Sequence, residues 1–128
     1  MRRFQIDEEI KSFLLSLSRT LGVRIEKILD LYLYVTPETV EIIEVVERSG
    51  EVIGVRLAVR SKKRQDLWHY VAVGRRGGKC TCRGNAVGGK ICRHITIGLI
   101  TWHIISLLKT GKGVDVSTLQ WLRDSVNV

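Results

Sequence analysis

A chain of 128 residues has room for one compact domain, or one with helical additions, and excludes a large multidomain enzyme. With 45% of residues apolar and 27% charged, it has the composition of a folded protein rather than a disordered tail. The 21 Lys and Arg outnumber the 13 Asp and Glu, for a formal charge of +8, which favours polyanionic partners, nucleic acid first, and opposes acidic ones.

That charge is local. Residues 52 to 114 carry +12, with Asp66 their one acid, while the remainder carries −4, so an anion-binding surface is expected in the middle of the chain. Three cysteines cannot form a fully paired disulfide framework. Met1-Arg2-Arg3 leads into Asp7, Glu8 and Glu9 without a long apolar run, so a reducing, intracellular setting is expected.

In chain order, Ile10, Phe13, Leu14, Leu17 and Leu21 fall at spacings of three and four ahead of Gly22, which predicts an amphipathic helix over 7–21. A second short helix is expected from Arg24 to Tyr34. Thr36-Pro37-Glu38 resembles a helix start, and Glu38, Glu41, Glu44 and Glu47 recur every third residue opposite Val40, Ile43 and Val46. This spacing predicts a third helix through Arg48 despite its β-branched content. Residues 1–50 are thus expected to form an N-terminal helical region.

After Ser49-Gly50, the residues Ile53, Val55, Leu57 and Val59 alternate with Gly54, Arg56, Ala58 and Arg60, the period of a half-buried strand. A second strand is expected over Leu67 to Val73 and a third near Lys79 to Cys82, joined by polar and glycine-rich connections into an antiparallel meander. Ile95 to Leu108 is a 14-residue stretch without formal charge. It falls short of the roughly 20 apolar residues of a membrane span and predicts a buried helix. Lys109 and Gly111 suit its end, and Ser117 introduces a last short helix carrying Leu119, Trp121 and Leu122. The fold class expected is α+β: a helical region (1–50), a β-hairpin and helix (51–108) and a C-terminal helical extension (109–128).

Cys80-Thr81-Cys82 and, nine residues on, Cys92-Arg93-His94 bring all three cysteines together with one of the three histidines. Three thiolates and an imidazole complete a tetrahedral zinc shell, and side chains at i and i+2 of a strand share a face. The alternative is three small buried cysteines and an ordinary helix-start histidine. A disulfide within Cys80-Thr81-Cys82 would close a strained ring. With four protein ligands, no coordination position stays open for water or substrate, so the expected zinc is structural and no enzymatic activity is expected. His103 lies nine residues after His94, about half a turn away on a regular helix, and is excluded from the same ion.

Cys-x-Cys, a variable loop and Cys-x-His, preceded by a hairpin and followed by an apolar helix, resemble the SWIM zinc finger over roughly residues 51 to 108. Resemblance implies a zinc ion on Cys80, Cys82, Cys92 and His94. SWIM modules occur in transposases, chromatin ATPases and recombination accessory proteins. The arrangement of helices, hairpin and finger is most similar to the SWIM subunit of Shu-type recombination mediators. That likeness implies a RecA-like paralogue as partner and a role in homologous recombination and DNA repair. The mediator family usually carries alanine three residues after the ligand histidine, where this chain has Ile97. A free-standing DNA-binding finger of a mobile element or regulator, and a protein-only adaptor, are the alternative readings.

Lys62, Lys63, Arg64, Arg75, Arg76, Lys79, Arg83, Lys90 and Arg93 are the candidate phosphate contacts, predicting salt-sensitive DNA binding without sequence specificity. A solvated basic face is the competing explanation. Trp68 and Tyr70 are expected in the core, with a stacking platform for unpaired bases as the alternative. Trp102 and Trp121 suit the core or an interface with a protein partner, for which a second copy of this chain is also a candidate. His69 and His103 read as structural or surface residues. No membrane association and no nucleotide-binding loop are expected.

Overall fold

The computed structural model describes residues 3–82 and 91–126. Its elements run α1 (Arg3–Leu21), α2 (Ile25–Tyr34), β1 (Val40–Arg48), β2 (Glu51–Arg60), β3 (Trp68–Gly74), β4 (Gly77–Cys80), α3 (Arg93–Thr110), a 3₁₀ turn (Val116–Thr118) and α4 (Gln120–Val126). The four strands form one antiparallel sheet in the order β1-β2-β3-β4, so the chain is α+β with the expected meander.

One expectation fails. Residues 40–48 are a strand, not a helix, and Pro37 sits in a turn held by the Thr39 side chain, whose Oγ1 accepts from the Thr36 backbone N–H at 3.0 Å. The misleading three-residue spacing has a local cause. A β-bulge at Ile43 lets Glu41 face Ala58 and Glu44 face Arg56, two positions on one side of β2, so glutamates three apart share a face without a helix. Five β-branched residues (Val40, Ile42, Ile43, Val45 and Val46) then favour the pleated edge. The β1–β2 turn is Ser49-Gly50, with φ of +53° and +77°, as a tight antiparallel hairpin requires.

Helix α3 crosses the inner face of the sheet. Val55, Leu57, Val59, Val71 and Val73 meet Ile95, Ile97, Leu99 and Trp102 there, all buried. Gly98 permits the close approach, since a Cβ in its place would stand 2.9 Å from Val71 Cγ1. Helices α1 and α2 cover the other side of α3 with Phe13, Leu14, Leu17 and Ile28. This explains why α3 is apolar around its circumference. Its hydroxyl side chains bond to nearby carbonyls: Thr96 and Thr101 donate to those of Cys92 and Ile97, and Ser106 to that of Lys112. Among the described residues no helix is long and apolar enough to cross a membrane.

Both helix tryptophans are tied to the sheet. Trp102 Nε1–H donates to the Val52 carbonyl at 2.9 Å, and Trp121 Nε1–H to that of Gly74 at 2.8 Å. One core cluster draws side chains from all three stretches 1–50, 51–108 and 109–128.

Candidate metal centre

Strand β4 points Cys80 to the inner face of the sheet, opposite Val71, and Cys82 follows two residues on. Across from them α3 begins. Cys92 is its N-cap, with Sγ accepting from the Ile95 N–H at 3.4 Å, and His94 lies in the first turn. The four ligand atoms of Cys80, Cys82, Cys92 and His94 all fall within 4.8 Å of one another. Cys80, Cys82 and His94 are buried and Cys92 half-buried.

The electrostatics are compatible with a bound cation. The Cys80 thiol, His94 and the Ile95 N–H hold Cys92 as a thiolate, its pKa brought down to about 3 against the opposing effect of burial. Cys80 is driven the other way, first by Cys92 and then by burial, so the pair shares one proton that a metal ion would replace. Sγ of Cys80 also accepts from the Cys82 N–H at 3.3 Å. Among the described residues His94 Nδ1 is buried without a hydrogen-bond partner, the kind of orphaned polar atom that a bound cation satisfies. Ligand atoms around tetrahedral zinc stand about 3.5–3.8 Å apart, given Zn–S near 2.3 Å and Zn–N near 2.0 Å, so the observed cluster needs little contraction.

His69, expected to be structural or at the surface, packs its ring on His94 with centroids 4.4 Å apart. Burial and the neighbouring His94 hold its pKa below the usual imidazole value. Local sequence pattern does not show this contact, which follows from β3 turning His69 toward the start of α3. His103 lies away from the metal ligands, stacked on Phe13 with centroids 4.0 Å apart. Its Nδ1 accepts from the Val114 N–H, which leaves Nε2–H to donate to the Glu9 carbonyl.

The candidate DNA contacts do not form one patch. Lys62, Lys63 and Arg64 are exposed on the β2–β3 connection, where Arg64 pairs with Asp66 at 3.5 Å. Arg75 and Arg76 are exposed at the opposite end of the sheet, with Arg75 paired to Glu51. Lys79 points outward from β4. Arg93 is half-buried, its guanidinium 4.8 Å over the Tyr34 ring and its Nη1 buried without a partner. Arg83 and Lys90 lie outside the described residues. Tyr70 corrects a further expectation: it is 57% exposed rather than in the core, because β3 turns it to the outer face of the sheet, while Trp68 is half-buried under Arg60. Two cations that sequence reasoning left out, Arg48 and Arg56, join Arg75, Arg76 and Lys79 around a hollow on that outer face.

Fold and site together define an α+β chain built on a Cys₃His cluster able to hold one metal ion. Comparison with known protein families, with characterised proteins and with solved structures returns no match.

Proposed function

We propose that residues 51–108 are a SWIM-type zinc finger in which Cys80, Cys82, Cys92 and His94 hold a structural zinc ion. The observation that carries this reading is the convergence of three sulfurs and a His94 ring nitrogen within 4.8 Å at the junction of β4 and α3, on a buried histidine whose Nδ1 has no hydrogen-bond partner among the described residues. Zinc there supplies cohesion between strand and helix, with three thiolates giving the centre a net charge of −1. With all four positions taken by protein, the ion is structural rather than catalytic, and the chain acts by binding. A reducing, intracellular compartment suits three ligand thiols.

The same reading makes the chain a DNA-binding and protein-interaction module, an accessory factor of homologous recombination and repair that pairs with a RecA-like paralogue. The local charge of +12 over residues 52 to 114 supports the DNA contact. Leu29 and Leu33 on α2, 42% and 71% exposed, offer apolar surface to a protein partner. Metal analysis of protein purified without chelators tests the zinc: one equivalent is expected, lost in Cys92→Ala and in His94→Ala, and a metal-free wild type or full metal loading of both variants refutes it. Co-expression with a RecA-like paralogue tests the pairing, which requires a stoichiometric complex on gel filtration and fails if the two elute apart.

A further inference from the structure

The inner face of the sheet is spent on α3 and the metal cluster, whereas the outer face points to solvent. Strand register sets what it displays. Glu44, Arg56, Ala72 and Lys79 form one row across all four strands, with Gly54, Gly74 and Gly77 in the next row on one side and Ala58 with Tyr70 on the other. Glu44, Arg56, Tyr70 and Lys79 are all exposed.

Along these rows runs a trough of about 670 Å³ whose cationic walls are Arg48, Arg56, Arg75, Arg76 and Lys79, and none of the described residues lining it is acidic. Glu44 and Glu51 reach Arg56 and Arg75 from outside. Among the described residues Arg48, Arg76 and Lys79 have no acidic partner, so the trough keeps a positive excess. Its floor is bare for a steric reason: a Cβ on Gly54 or Gly74 would stand 2.8 Å from the carbonyl oxygen of Val73 or Ile53. A second hollow of about 420 Å³ shares Arg56, Ala72 and Lys79 with the first and ends at Tyr70. The Tyr70 backbone is fixed on both sides by Thr81, N–H to Oγ1 at 2.9 Å and carbonyl to N–H at 3.0 Å.

A concave, cationic channel leading to an exposed aromatic ring matches a flexible polyanion that carries flat faces. Single-stranded DNA has both, whereas a duplex keeps its bases stacked inside and offers Tyr70 nothing to stack on. We propose that single-stranded DNA lies along this trough, its phosphates against Arg48, Arg56, Arg75, Arg76 and Lys79 and one base stacked on Tyr70. The inference rests on the reading that the chain binds DNA, and adds which face binds it and which form of DNA it takes. The β2–β3 connection, with Lys62, Lys63 and Arg64, is then peripheral.

Fluorescence anisotropy with a labelled oligothymidine of about 15 nucleotides, within the usual ~4–16 nucleotide site sizes, tests it. Its duplex with oligoadenine and an oligouridine of equal length serve as competitors. The zinc-loaded wild type is compared with Arg76→Gln/Lys79→Gln, Tyr70→Leu, Tyr70→Phe and the loop variant Lys62→Gln/Lys63→Gln. All these positions are exposed, and unchanged melting temperatures verify the fold. The double trough variant is expected to bind about 10-fold more weakly or worse, its log–log salt slope shallower by about 1.4, since each lost phosphate contact on a single strand removes about 0.7. Tyr70→Leu is expected to lose about 10-fold, Tyr70→Phe to bind like wild type, and the loop variant to change by less than about 3-fold. Wild-type binding that survives both trough variants, a loss carried by the loop variant, or a duplex that binds as tightly as the single strand overturns the trough while the DNA reading stands. Tighter binding of oligouridine overturns the assignment to DNA. No binding of any DNA form at low salt removes both.

Discussion

At its N-terminal end α3 meets the sheet through Cys92 and His94 facing Cys80 and Cys82, whereas farther along Trp102, His103 and Ser106 are tied to β2, α1 and the following loop by hydrogen bonds. The second region is complete as it stands: Trp102 Nε1, both His103 nitrogens and Ser106 Oγ have protein partners, and the helix closes on Gly111 in the left-handed conformation (φ 75°). The first is not. It buries an unpartnered His94 Nδ1 beside a Cys92 held as thiolate, a grouping that costs free energy until a cation joins it. One helix is thus anchored at one end by packing, while its other end presents a cluster able to take up an ion.

Breaking the N-terminal anchor is expected to have the largest effect. Metal binding contributes on the order of 10 kcal/mol to folding in small zinc modules. Chelation at neutral pH should therefore abolish hydrogen-exchange protection at Thr81, Ile95 and Thr96. His94→Ala without chelator should reproduce that loss, and full protection in excess chelator would show that packing holds both ends. Breaking the other anchor should cost less. Trp102 is 2% exposed and donates to Val52, so Trp102→Ala is expected to lose about 3–5 kcal/mol in urea unfolding while one metal equivalent is retained. Metal loss in that variant would mean that the two ends are not separable.

The smallest effect sharpens the comparison through pH. Burial holds the His103 pKa at about 4, against an ordinary value near 6.5 in the unfolded chain. The unfolded state then takes up a proton that the folded state refuses. His103 destabilises the fold progressively as pH falls from about 6.5 to about 4, by up to about 2–3 kcal/mol, and has no such effect above that window. Urea titrations of wild type and His103→Gln at matched pH values isolate this contribution from the metal site, which both proteins share. Parallel curves would contradict it, and convergence toward acid pH is the expected result.

Much of the candidate metal centre was legible in the sequence, because ligand chemistry is carried by residue type; the strand expected near Lys79 to Cys82 ends at Cys80, so Cys82 joins the cluster from the bend that follows. The meander and the buried α3 were legible for a similar reason: period-two alternation in Val55, Leu57 and Val59, and an uncharged run too short to span a membrane. Strand β1 was hidden by its bulge, which converts a two-residue period into a three-residue one at Glu41 and Glu44. The outer trough was hidden because Arg48, Arg56 and Lys79 become neighbours only through cross-strand register, which local pattern does not specify. The same holds for Tyr70, whose exposure follows from which face of the sheet α3 covers.

In the proposed zinc finger, one metal ion joins β4 to α3 through three sulfurs and one nitrogen. X-ray absorption at the zinc edge of the purified protein measures this directly. Three sulfurs at about 2.3 Å and one nitrogen at about 2.0 Å are expected around the ion, with no water oxygen. A shell with fewer than three sulfurs, or no bound zinc in protein never exposed to chelators or oxidants, would contradict it.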